Sequence, residues 1–302
     1  MNSTIVVAAA LALVGTVVVA TARTDSTALS DLDKMAAEHE HDSPVASSAA
    51  AAAPVWPIAA AEVTFGLIPG HSVRGYLAQP GPPSPSVPGT APAPSAPGLI
   101  VIHEWWGLNE NMKAMTRRLA ALGYNALAVD LYNGKVADNP DAAKKLAGQA
   151  MTDRDNGMAV LREAYLYLRR QVGAGPKMGV IGWCFGGGWS LAAAIEMPKI
   201  DAAVMYYGQP EEDRERLARL HAPLLGFFGA DDNSIPPAAV HAMESTLKQL
   251  GKSVEVHIYD GAGHAFANPS GTAYRAAAAD DAWGRTVTFL FDKLGRAGVR
   301  TP

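Results

Sequence analysis

The chain has a single cysteine, Cys184, in 302 residues. One thiol cannot close an intramolecular disulfide, so a disulfide framework is excluded and the sulfur is left for chemistry or for packing. Basic residues are too few and too scattered for a nucleic-acid partner. Lys and Arg number 25 against 29 Asp and Glu, a formal net charge of −4, and no basic run stands ready to neutralise a phosphate backbone. Cys/His clusters with metal-ligand spacing, a dinucleotide fingerprint and a phosphate loop are also missing. The cluster Gly186-Gly187-Gly188 lacks the lysine and the spacing of such a loop. No cofactor and no metal are therefore expected. Beyond the N-terminus no uncharged apolar run reaches the ~18 residues of a membrane span, so the body of the protein is expected without stable membrane insertion.

What is present begins with Ile5 to Ala20, an apolar run of 16 residues followed by Ala20-Thr21-Ala22, a small-residue cleavage pattern. Residues 1–22 are read as an export signal, which places the mature protein in the periplasm or outside the cell. Met1 to Thr4 carries no Lys or Arg, so an uncleaved, membrane-tethering segment is the alternative. Residues 23–61 are rich in Ala, Ser, Asp and Glu, lack an amphipathic period and read as a disordered spacer. Within it, Glu38-His39-Glu40-His41-Asp42 is taken as a solvated tract in preference to a weak metal site. Residues 62–302 form one domain, and a monomer is expected.

The stretch Pro80 to Gly98 is dense in Pro, Ser and Gly and excludes a helix or a central strand, so it becomes a surface loop after an early strand pair. Beyond it, short apolar runs alternate with helical patterns, the signature of an α/β fold with a mostly parallel sheet. Strands are expected at Leu99 to His103, Ala126 to Leu131, Met178 to Trp183, Ala202 to Tyr207, Pro223 to Phe228 and Val254 to Tyr259. Helices are expected at Asn111 to Leu122, Pro140 to Met151, Asn156 to Arg170, Ala238 to Leu250 and Tyr274 to Leu294.

The chemistry centres on Gly182-Trp183-Cys184-Phe185-Gly186, where an apolar strand runs into a helix-opening sequence. This is the Gly-x-Cys-x-Gly pattern of a nucleophile elbow. The turn is so tight that the residues two before and two after the nucleophile must be small. A thiol standing there sits at a helix N-terminus, whose partial positive charge and free amides favour a thiolate and an oxyanion. A lone Cys among glycines is also a common buried hydrophobe. The remainder of the chain then matters, because it supplies an acid and a histidine in the order such hydrolases use. Asp231 and Asp232 follow the strand ending at Phe228; Asp232 is preferred from its place before Ile235-Pro236, with Asp231 the alternative. His264 follows the next strand on a glycine-flanked turn, where a general base can reach a nucleophile on another loop. His71, His221, His241 and His257 read as structural.

At these residues the sequence resembles the dienelactone hydrolase family of the α/β-hydrolase superfamily, from roughly Val63 to Leu294. The likeness also takes in His103-Glu104-Trp105-Trp106-Gly107 and Val129-Asp130-Leu131-Tyr132. The resemblance implies an α/β-hydrolase fold, with helices on both faces of the sheet, and a Cys184-Asp232-His264 triad that opens an ester or lactone through an acyl thioester. It also implies that Glu104 contacts the thiol and that the backbone amides of Trp105 and Phe185 form the oxyanion hole. One departure bears on substrate. Family members that grip a substrate carboxylate use arginines, one of them four residues past the catalytic histidine, and this chain has Asn268 there. No Arg occurs between Arg118 and Arg154, where the other is sought, so an anionic dienelactone is disfavoured. Trp105, Trp106, Trp183 and Phe266 surround the motifs as candidate walls of an apolar pocket.

The expected activity is hydrolysis of a small carboxylic ester or lactone. Two other classes of function use the same residues. A binding protein would keep the fold and pocket without turnover, and a thiol redox sensor would use Cys184, although no second Cys exists to resolve it.

Overall fold

A computed structural model describes residues 32–37, 39, 40, 42, 58–81 and 96–295. The expected export signal, His41 and most of the Pro-rich loop lie outside the described residues.

Five strands are buried along their whole length: β3 (Gly98–Ile102), β4 (Asn125–Val129), β5 (Met178–Trp183), β6 (Ala202–Tyr206) and β7 (Leu224–Gly229). Strands covered on both faces have no solvent side, which is why they read as continuous apolar runs and not as alternating ones. With β1 (Ile58–Ile68), β2 (His71–Pro80) and β8 (Val254–Tyr259) they form one eight-stranded sheet in the order β1-β2-β4-β3-β5-β6-β7-β8. The β1–β2 hairpin turns on Gly70, at φ 97°, a left-handed conformation that glycine adopts without a side-chain clash. β2 also runs antiparallel to β4, and every other neighbouring pair is parallel. Helices flank both faces: α1 (residues 32–37), α2 (Glu110–Ala121), α3 (Pro140–Thr152), α4 (Arg154–Val172), α5 (Phe185–Glu196), α6 (Arg214–Ala218), α7 (Pro237–Gln249) and α8 (Ala276–Leu294). This is the expected α/β-hydrolase architecture.

The differences from the sequence expectation are local and have physical causes. β1 starts at Ile58, inside the stretch read as spacer; Ile58 to Ala61 are paired with Leu77 to Pro80, so a partner strand orders a segment that has no alternation of its own. α6 was not foreseen because five residues are too few to show a helical period; it is held by the Asp213 side chain, which accepts from the Glu215 and Arg216 amides. The third difference is the largest. Residues 32–42, expected in solvent, include α1 and bury Leu32, Met35, His39 and Asp42.

Candidate active site

The chemistry-bearing residues follow the carboxyl ends of parallel strands, where open α/β sheets place their sites. Glu104 and Trp105 come after β3, Cys184 after β5, Tyr207 after β6, Asp232 after β7 and His264 after β8.

The turn into α5 has the geometry that the glycine spacing required. A Cβ at position 182 would lie 2.0 Å from the Gly186 carbonyl oxygen, and one at 186 would lie 2.4 Å from that of Ile102. Both are backbone atoms that cannot move aside. Cys184 itself sits at φ 54°, ψ −120°, a strained conformation for a residue with a side chain. Its amide donates to the Tyr206 carbonyl and its own carbonyl accepts from Gly187, so the strain is held from both sides. Tyr207 (φ 36°) and Ala265 (φ 56°) share this positive-φ geometry beside it. The Phe185 amide opens α5, where an N–H has no acceptor within its own helix.

The structure separates the two candidate acids. Asp231 is exposed, whereas Asp232 is buried with one carboxylate oxygen 2.8 Å from His264 Nδ1. Its other oxygen accepts from the amides of Ser234 (2.9 Å) and Ile235 (2.7 Å), which aims the carboxylate at the ring. Burial alone disfavours an imidazolium at His264. Cys184 and the Asp232 carboxylate outweigh it and lift the pKa well above the ordinary imidazole range. His264 Nε2 is buried and makes no hydrogen bond, and the thiol donates instead to Met35 Sδ at 3.5 Å. Cys184 and the imidazole are close electrostatic neighbours, and it is the negative form of the sulfur that favours the charged ring.

Glu104, which the resemblance places against the thiol, lines the same cavity as Cys184. It accepts from the Tyr207 hydroxyl at 3.2 Å through one oxygen and from the Asn268 amide at 2.6 Å through the other. The backbone behind it is pinned by His103. Nε2 of that ring accepts from the Leu131 amide, so Nδ1 carries the proton and donates to the Glu104 carbonyl at 2.6 Å. Burial pushes the His103 pKa down, which keeps this neutral tautomer. The sequence reading passed over His103 and Tyr207 as functional residues; their positions directly after β3 and β6 were the available signal.

Burial pushes the Glu104 carboxyl up to about 7, against the opposing influence of the His264 charge and of the bond from Tyr207. The fold therefore favours the neutral acid. That stabilisation is complete below the unfolded value of 4.5 and is lost as pH rises through about 7. At about 1.36 kcal/mol per pH unit across this interval, the stability of the native protein relative to Glu104→Gln should fall by about 3 kcal/mol from pH 4 to pH 8. Urea unfolding of both proteins at the two pH values measures it, and a constant difference would contradict the assignment.

Cys184, His264, Glu104, Trp105, Trp106 and Asn268 line one enclosed cavity together with His39, Asp42 and Ala265. No Lys or Arg is among these lining residues. Trp105 and Trp106 meet edge to face at 5.0 Å on its wall. Trp183 and Phe266 are core residues instead, Trp183 stacked on Tyr206 and Phe266 against Tyr207 and Tyr259. The cavity measures only about 10 Å³, roughly the space for one water. A larger groove of about 470 Å³ lies away from the thiol, between Glu62, Arg74, Lys113 and Lys135. Among the described residues no cluster of His, Cys, Asp and Glu could hold a metal, and no helix is long and apolar enough to cross a membrane.

Comparison with known proteins adds a lineage to this geometry. The family model described as "Dienelactone hydrolase family" matches residues 86–294. "Protein usf" of Aquifex pyrophilus is 34% identical over 232 residues, covering 74% of this chain and 95% of its own. An Escherichia coli strain K12 protein named "Putative carboxymethylenebutenolidase" is 31% identical over 215 residues, 67% of this chain and 79% of its own. Among solved structures, one titled "Putative Dienelactone Hydrolase" from Klebsiella pneumoniae superposes with a TM-score of 0.62 at 28% identity, covering 77% of this chain and 98% of that one.

Proposed function

Because this chain belongs to the dienelactone hydrolase family and is a hydrolase of the carboxylic-ester type, we propose that Cys184, His264 and Asp232 are its catalytic triad and that it opens small, uncharged esters or lactones. The observation that carries this reading is the 2.8 Å bond from Asp232 to His264 Nδ1, with Nε2 of the same ring buried and unengaged beside the chain's single thiol.

The bond to Asp232 keeps the proton on Nδ1 and leaves the Nε2 lone pair for the thiol. Nε2 takes the Cys184 proton, and the thiolate attacks the substrate carbonyl carbon. The resulting oxyanion is received by the Phe185 and Trp105 amides. The imidazolium returns its proton to the departing alkoxide, which leaves an acyl thioester on Cys184. His264 then deprotonates a water that attacks the thioester carbonyl, and the thiolate departs with the acid released. A raised imidazole pKa suits this cycle, because the ring must hold the proton between the two transfers. The lack of Lys and Arg among the lining residues supports a neutral substrate, and Asn268 is already committed to Glu104. The N-terminal apolar run supports export as the setting, with membrane tethering as its alternative.

Intact-mass spectrometry during turnover of p-nitrophenyl acetate tests the covalent step. The expected result is a transient acetyl adduct mapping to the peptide that carries Cys184. Turnover without an adduct under acid quench, or an adduct on another residue, would refute the thioester.

A further inference from the structure

The atom that faces the thiol comes from the segment whose sequence suggested a solvated spacer. Met35 Sδ lies 3.5 Å from Cys184 Sγ and accepts a hydrogen bond from the thiol. An electrophilic carbon must come within about 3–3.5 Å of the sulfur to be attacked, so the thioether stands where the substrate carbonyl belongs. Four residues further on, the His39 ring packs edge-on against His264 at 5.7 Å and lies 5.9 Å from Trp105, which spans the loops on both sides of the nucleophile. Asp42 fastens the end of the segment. One of its oxygens accepts from the Thr272 amide (3.0 Å) and hydroxyl (2.7 Å), and the other is paired with His39 Nδ1 at 2.7 Å. With this segment in place the cavity at the thiol is about 10 Å³, too small for the acyl group of any ester.

From this geometry we propose that residues 32–42 are a tethered plug that fills the acyl site of their own chain and must leave before substrate reaches Cys184. The proposal rests on the reading of Cys184 as the nucleophile. A fixed pocket wall is a different arrangement: it would leave room for a carbonyl at the sulfur, whereas the space left at the thiol with Met35 in place is about that of one water. The attachment also suits release. The described residues of α1, 32–37, turn Leu32 and Met35 inward while Asp33, Lys34 and Ala37 stay exposed, so the segment meets the body of the protein along one narrow face. What docks it is compact: the buried Leu32 and Met35 side chains, the ion pair of Asp33 with Lys144, and the Asp42 latch. The plug and the substrate compete for one place, and the enzyme's activity is set by how often the plug is out.

The full chain tests this through the accessibility of its one thiol, a readout that needs no catalysis. Iodoacetamide alkylation, followed by intact mass, is compared among the native protein, Met35→Asp and Asp42→Ala. Met35→Asp sets a carboxylate against the thiol; Asp42→Ala removes only the bonds to Thr272 and His39, outside the buried strands, and is the second variant should the first not fold. Circular dichroism and cooperative unfolding identify the folded variants. Alkylation at least about tenfold faster in a folded variant is expected, the scale of losing hydrogen bonds to a charged group. p-Nitrophenyl acetate turnover is expected to rise with it. Native alkylation rates in the folded variants overturn the plug. Faster alkylation with no hydrolysis by any of the proteins upholds the plug and removes the hydrolase reading instead.

Discussion

Cys184→Ala is expected to lower kcat/KM for p-nitrophenyl acetate by about 10⁴-fold or more, because losing the proposed nucleophile would end covalent catalysis and leave only the proposed oxyanion amides and substrate binding. Such a fall corresponds to about 5.5 kcal/mol of transition-state stabilisation. Stability should hardly change. Alanine also carries a Cβ, so the strain at φ 54° remains, and the buried sulfur accounts for only about 1 kcal/mol of packing. The pairing of a large kinetic effect with a nearly constant unfolding midpoint separates chemistry from folding. Activity within tenfold of the native enzyme would remove Cys184 from the mechanism, and with it the argument from the turn geometry.

Asp232→Asn should have an effect of similar size for a different reason. Asparagine preserves the carbonyl oxygen that caps the Ser234 and Ile235 amides, so the loop after β7 keeps its shape. Its NH₂ then points at His264 Nδ1, where a second donor cannot face an N–H. The ring must take the other tautomer, with its proton on Nε2, and can no longer accept one from the thiol. In serine hydrolases with this arrangement the tautomer error alone costs about 10⁴ in kcat. The expected result here is a loss of about 10³- to 10⁴-fold in kcat with KM little changed, measured by steady-state kinetics. If the loss appeared in KM alone, Asp232 would belong to substrate binding and not to the orientation of His264. Asp231→Asn is the control; that side chain is exposed and should leave the rate unaltered.

Much of the site was legible in the chain because its geometry is local. Gly182 and Gly186 bracket Cys184 at positions where a Cβ would collide with backbone, and that steric demand is written directly as glycine. The buried strands were legible for a related reason, since a strand covered on both faces can carry almost nothing but apolar residues. Glu104 was found by its motif, but its partners were not. Tyr207 and Asn268 approach it from the loops after β6 and β8, and a hydrogen bond between separate loops leaves no mark in local spacing.

The amino-acid order by itself determined the α/β alternation and the sharp turn at Cys184, because each follows from steric limits or burial acting over a few neighbouring residues. Only the tertiary structure set Asp232 and not Asp231 against His264, gave Glu104 its partners, and brought Met35 onto the thiol with His39 and Asp42 at the same cavity. Adjacent aspartates have nearly the same sequence surroundings but opposite directions from the chain, and residues 32–42 are too few and too mixed in polarity to show a period. The burial of Leu32, Met35, His39 and Asp42 depends on a surface that exists only after five strand ends have been assembled side by side.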